Sequence, residues 1–143
     1  MPFAGTPLHL AAAAGDAAQV RHLLATGSDP NARDPVIGAT PLHLAAGYSG
    51  SVNVVRLLLD AGADPNAREQ WMGGAPLHVA AHWGYLDVAR VLVEAGADLA
   101  APTHADGETP MQIAASRGHH EVVEYLLAAA PEDGPPTLAG DEA

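Results

Sequence analysis

The chain contains neither cysteine nor lysine. Without thiols, disulfides, thiolate zinc sites and cysteine nucleophiles are all excluded. The basic side chains are 6 arginines against 17 acids, a net charge of -11. Such a balance opposes the phosphate neutralisation that dominates nucleic-acid affinity and argues against that class of partner. Aromatic residues are only 4% of the 143, and Trp71 and Trp83 are the two tryptophans. No apolar run approaches the roughly 18 residues that cross a bilayer, so no membrane span is expected. The opening Met1-Pro2-Phe3-Ala4-Gly5 has no basic stretch of the kind that begins a secretion signal, and a cytoplasmic location is the expectation. Arginine without lysine, amid abundant Ala, Gly, Pro and Asp, resembles the coding bias of a GC-rich genome and suggests a bacterial source.

What the chain does have is repetition. Thr-Pro-Leu-His-Leu-Ala-Ala occupies Thr6 to Ala12 and again Thr40 to Ala46, with degenerate copies at Ala75 to Ala81 and Thr109 to Ala115, spaced 34, 35 and 34 residues apart. Periods in this range mark a stacked array in which each unit buries its apolar face against its neighbours. In three copies Thr is suited to cap a helix, and in all four Pro is suited to stand at its first position, where no amide bond is lost. After a glycine, a second helix is marked by apolar side chains at i, i+3 and i+4: Val20, Leu23 and Leu24; Val55, Leu58 and Leu59; Ala89, Leu92 and Val93; Val123, Leu126 and Leu127. Gly27, Gly62 and Gly96 follow the first three of these stretches and suit a left-handed C-terminal cap.

The TPLHLAA motif, the glycine between helices, the VVRLLL run and Gly62-Ala63-Asp64-Pro65-Asn66 together resemble the ankyrin repeat. The resemblance covers about residues 4 to 130. It implies an all-α solenoid of four stacked helix-turn-helix units (approximately 4–33, 34–68, 69–102 and 103–130) with projecting hairpin-like loops. Residues 131–143, acidic and proline-rich, are expected to be a disordered tail. Two departures from the usual unit of about 33 residues stand out: each connecting loop is one residue longer, and the second copy adds a residue in Gly47-Tyr48-Ser49-Gly50-Ser51. Both additions are expected to fall in loops, where insertions are tolerated.

Three histidines, His9, His43 and His78, share one motif position. Adjacent layers lie on the order of 10 Å apart, too far for one ion with bonds near 2 Å. An imidazole that donates through one nitrogen and accepts through the other would instead tie a helix start to the neighbouring loop, a capacity that Gln112 keeps in the fourth copy. Asn31 and Asn66 are read as structural turn residues, bonding their own chain or adopting left-handed backbone. Ala75 stands where the other copies have Thr, so the third helix start should lack its cap.

Subtracting these structural demands leaves the loop tips and the ends of the first helices: Val36, Ile37, Tyr48, Trp71, Met72, His82, Trp83, His104, Ser116 and Arg117. Trp, Tyr, Met and Arg are enriched at binding hot spots, and Asp34, Glu69, Asp106 and Glu108 around them suggest a partner with a basic rim. The expected function is a non-catalytic module that binds another protein through its concave face and loop tips, with no cofactor, metal, nucleic acid or membrane. The alternative is a small-molecule or catalytic groove in repeats 2 to 4, using His82, His104, Asp106 and Tyr48 with the two tryptophans as walls. The expected state is a monomer, with self-association through the sparsely capped N-terminal repeat as a further option.

Overall fold

A computed structural model describes residues 5–130, so the expected tail at 131–143 lies outside the described residues. The sequence periodicity becomes four helix pairs: α1 (Pro7–Ala14) with α2 (Ala17–Ala25), α3 (Pro41–Leu44) with α4 (Val52–Asp60), α5 (Pro76–Trp83) with α6 (Leu86–Glu94), and α7 (Pro110–Ser116) with α8 (His120–Ala129). There is no β-strand among the described residues. The first helices pack in one row and the second helices in another. Leu8, Leu42 and Leu77, all at one motif position, are wholly buried together with Val20, Val55 and Ala89. The second helices end as anticipated. Gly62 adopts φ 101°, and the amide of Ala63 reaches back to Leu58 O at 2.9 Å while that of Gly62 reaches Leu59 O at 3.0 Å, a pair of bonds that only a left-handed residue at this point permits.

The histidine row ties the layers. In repeat 2 the backbone N–H of Thr40 donates to His43 Nδ1 at 3.1 Å, which leaves Nε2 as the protonated nitrogen, 2.9 Å from the carbonyl of Gly74 in the next repeat. His9 does the same between Thr6 and Ala39, and His78 between Ala75 and Ala101. Gln112 accepts the Thr109 amide at 2.9 Å. Burial disfavours the charged ring, so the pKa values of His43 and His78 fall below 6.5.

Two expectations need correction. The additional residue of repeat 2 does not lengthen a loop. It is absorbed inside the first helix, where α3 runs directly into a π-turn at Ala45–Ser49 closed by a bond from Gly50 N to Ala45 O of 2.9 Å. The turn is fastened by Ser49, whose hydroxyl lies 3.0 Å from Ala12 O in repeat 1 and 3.2 Å from Ala45 O. The asparagines are structural, but neither is left-handed, since no non-glycine described has positive φ. Their backbone amides bond Asp29 and Asp64 of their own turns, but their side chains serve the next repeat. Asn31 donates to Gly62 O at 2.9 Å and accepts from Asp64 N at 2.7 Å, and Asn66 repeats the arrangement with Gly96 O and Asp98 N. Each clamps the following turn. The third helix start does lack a side-chain cap at Ala75.

Candidate functional site

Each loop between helix pairs rises to a tip whose base is closed by a backbone bond, Asp34 N to Ala39 O at 2.9 Å, Glu69 N to Gly74 O at 3.0 Å and Thr103 N to Glu108 O at 2.9 Å. A side chain inside each tip holds it. Asp34 accepts the amides of Val36, Ile37 and Ala39 within 2.9 Å, Glu69 accepts those of Met72 and Gly73, and the Thr103 hydroxyl accepts those of Asp106 and Glu108. Burial by itself would raise the pKa of Asp34, but the three amides, helped by His9, bring it below 3.8. Asp34 and Glu69 are therefore buried braces, which corrects their assignment as rim charges; Asp106 remains exposed and Glu108 half-exposed.

The tips also bond one another. Gln70 N donates to Ile37 O at 2.6 Å and His104 N to Met72 O at 2.8 Å. Each tip thereby fixes the height of the next, and the His104 ring lies directly over Gly73, where a Cβ would come within 2.3 Å of it.

Between the tips and the first helices runs a groove of about 360 Å³. Ile37, Trp71 and Met72 line it from the tips, and Tyr48, His82 and Trp83 from the helices. Six of the ten residues singled out in the sequence thus meet around one space. Both indoles stand at its surface, Trp71 74% and Trp83 55% exposed, and the His82 ring meets Trp83 edge-on at 4.8 Å. The other four lie outside the lining. Val36 points to solvent from the first tip, His104 sits exposed on the third, and Ser116 and Arg117 are exposed at the end of α7, the Ser116 hydroxyl turned back onto Ile113 O.

Sequence subtraction missed Leu44, Val79 and Ile113, which also line the groove. They occupy the fifth place of the heptapeptide and had been counted wholly as stacking. The one available signal is that this place takes three different aliphatics, Leu, Leu, Val and Ile, where no other place of the heptapeptide takes more than two residue types. Gly47 was missed as well. A Cβ there would fall 2.7 Å from Val79 Cγ1 and 3.7 Å from Trp83 Nε1, so the glycine of the π-turn is what lets these two side chains close on repeat 2.

The polar atoms in the lining are largely engaged. His43 and His78 are bonded at both ring nitrogens, and Glu69 and Thr103 hold backbone amides. His82 has its pKa lowered by burial first and then by Arg117 and His119, which leaves it a neutral ring at pH 7. Of the other proposed acid-base groups Tyr48 is in the lining, but His104 and Asp106 are not. The described residues include no group of three His, Asp or Glu placed to hold a metal. Chemically the groove offers an apolar, aromatic-walled surface.

Models of the ankyrin repeat match residues 8–103 as three copies and residues 106–133 as one more. The chain belongs to the ankyrin-repeat family. Comparison with curated proteins finds no match. Ankyrin repeats are in general protein–protein interaction modules, and among the described residues no helix is long and apolar enough to cross a membrane.

Proposed function

We propose that this ankyrin-repeat chain is a non-catalytic binding module that holds a partner protein in the groove between its tips and first helices. One observation carries the reading: both tryptophans, with Tyr48 and Met72, line the same groove and remain accessible. Large side chains left exposed around a concave apolar surface mark an interaction site, and Trp and Tyr bury much area at small entropic cost. Val36, His104, Ser116 and Arg117 would form the rim of the same interface. The partner's contact is a bulky apolar side chain presented from a surface of positive potential, because the net charge of -11 accelerates encounter with basic surfaces. Catalysis is disfavoured by the engagement of the buried histidines in backbone bonds and by the absence of His104 and Asp106 from the groove lining.

A second reading, a small apolar ligand in the same groove, is favoured by its size, since small-molecule sites span roughly 300 to 1,000 Å³. The test compares wild type with the Trp71→Ala/Trp83→Ala double variant. Proteins retained from source lysate by wild type and lost by the variant are identified, purified and titrated, with an expected loss of about 2 kcal/mol or more, roughly 30-fold in Kd. Equal retention by both chains would remove the groove from protein recognition. A melting shift produced by a small molecule and abolished by the double variant would select the second reading.

A further inference from the structure

Among the described residues six large apolar side chains are exposed: Leu10, Val36, Tyr48, Trp71, Trp83 and Leu127. Four belong to the tips and the groove. Leu10 and Leu127 do not; they lie in α1 and α8, the first and last helices of the stack, and are 50% and 57% exposed.

Comparing equivalent positions across the four repeats shows what each of these side chains lacks. Pro41, Pro76 and Pro110 are buried but Pro7 is exposed, and Leu44 and Ile113 are buried and Val79 half-buried but Leu10 is exposed. Both positions are covered by the preceding repeat, which repeat 1 does not have among the described residues. The opposite face behaves in the mirror sense. Ala12, Ala46 and Ala81 are buried but Ala115 is exposed, and Leu24, Leu59 and Val93 are half-buried but Leu127 is exposed. These positions are covered by the following repeat. Among the described residues, repeats 1 and 4 therefore present the two halves of one interface that is formed three times between them.

Polar features keep the same register at the first two junctions, whereas at the third His78 bonds Ala101 O instead. His9 and His43 each donate to the carbonyl of the residue just before the next motif, Ala39 and Gly74. Gln112 stands at that place in repeat 4 and uses its Oε1 on Thr109 N, which leaves amide N–H groups suited to the carbonyl of Gly5, the residue before the first motif. Arg90 of repeat 3 lies 4.9 Å over the Tyr125 ring of repeat 4, and the equivalent pair across a junction between copies is Glu124 with His22. Charge agrees: each helix has one histidine, but α2 carries Arg21 and no acid, whereas α8 carries Glu121 and Glu124 and no arginine.

We propose that copies of this chain stack head to tail, with the exposed face of repeat 1 in one copy seated on the exposed face of repeat 4 in another. Such a contact is heterologous and leaves a fresh face at each end, so it grows without closing. Each junction repeats the nearest-neighbour packing that stabilises the solenoid, but it carries the entropic cost of joining separate molecules, so assembly depends on concentration. The groove and both indoles stay outside the junction.

The test is sedimentation velocity on the 143-residue chain over a concentration series. The average mass is expected to rise past that of a dimer. Leu10→Asp and Leu127→Asp, both at exposed positions, each place a carboxylate in the junction and are expected to remain monomeric alone. Mixed in equal amounts they should form 1:1 dimers and nothing larger, because each retains one intact face. If circular dichroism shows either to be misfolded, Pro7→Glu and Ala115→Glu provide the same readout from other exposed positions. A wild-type chain that stays monomeric throughout overturns the proposal. So does association lost in only one of the two variants, which would indicate like faces pairing. Association abolished by Trp71→Ala/Trp83→Ala would place the contact in the groove and overturn it too, whereas a failure of partner binding alone leaves this result untouched.

Discussion

Restoring a hydroxyl at Ala75 should stabilise the chain. Thr40 and Ala75 cap equivalent helices with nearly the same backbone, φ -97° and ψ 165° against φ -95° and ψ 168°, and both are buried, so threonine can enter repeat 3 without moving the chain. A capping hydroxyl is worth about 0.5 to 2 kcal/mol. Two distances place the gain at the lower end. The contact from His43 N to Thr40 Oγ1 is long at 3.4 Å, and in repeat 3 the equivalent amide of His78 already has a backbone partner, Ala75 O at 3.0 Å. What Ala75 forgoes is mainly the hydroxyl beside the imidazole, which in repeat 2 lies 2.9 Å from His43 Nδ1. The expected gain for Ala75→Thr is about 0.5 to 1 kcal/mol, or roughly 2 to 4 °C in Tm for a chain of this size. Urea and thermal unfolding of Ala75→Thr, Ala75→Ser and Ala75→Val measure it. Val has the shape of Thr without the hydroxyl, so the reasoning requires Thr and Ser to stabilise and Val not to. Equal gains from Val and Thr would refute it, since packing rather than capping would then explain both.

Acid should weaken the fold through the buried histidines. Their folded pKa values lie below 6.5, chiefly because burial penalises the charged ring, so the unfolded chain takes up protons first. Stability is then level above the unfolded value and falls as pH drops below about 6.5, by up to about 1.4 kcal/mol per pH unit for each of His43 and His78. Unfolding free energies between neutral and mildly acid pH check this, and His43→Gln should flatten the slope by one histidine's share. Gly47→Ala should leave the solenoid folded but push Val79 and Trp83 outward, because its Cβ would lie 2.7 Å from Val79 Cγ1. The expected readout is changed tryptophan emission together with weaker partner binding. Asn66→Ala removes two bonds between repeats, to Gly96 O and Asp98 N, and should cost about 1 to 3 kcal/mol in urea unfolding. Asn66→Asp, which keeps only the acceptor, should fall between.

The architecture was legible because it is written four times. A substitution such as Gln112 for histidine, or Ala75 for threonine, could be interpreted against its copies: Gln112 accepts the Thr109 amide as the histidines accept theirs, and Ala75 lacks the cap. The groove was legible by subtraction, because side chains such as Trp71 and Trp83 answer no demand of stacking. What resisted was any residue serving two ends at once. Leu44, Val79 and Ile113 stack between layers and also line the groove, so their aliphatic character was fully accounted for by the first task. Asp34 and Glu69 looked like surface charge because composition cannot reveal that a tip folds its own amides onto a carboxylate.

The π-turn makes the same point in one place. The count of 35 residues instead of 34 announced an additional residue, but Ala45-Ala46-Gly47-Tyr48-Ser49 reads equally well as the end of a regular helix followed by a longer loop. The choice depends on Ser49 reaching Ala12 O in the neighbouring repeat, a contact between residues 37 apart in sequence. Widening the helix, rather than the loop, keeps the cap at Gly50 and the start of α4 in register with the other repeats. The surplus is then expressed on the helix face that borders the groove, where it sets Gly47 against Val79 and Trp83 and puts Tyr48 in the wall. A π-turn disturbs a regular helix and is found preferentially at functional sites. Its occurrence here, in the repeat whose first helix lies against Trp83 in the groove wall, ties the departure from the family's regular unit to the surface proposed for recognition.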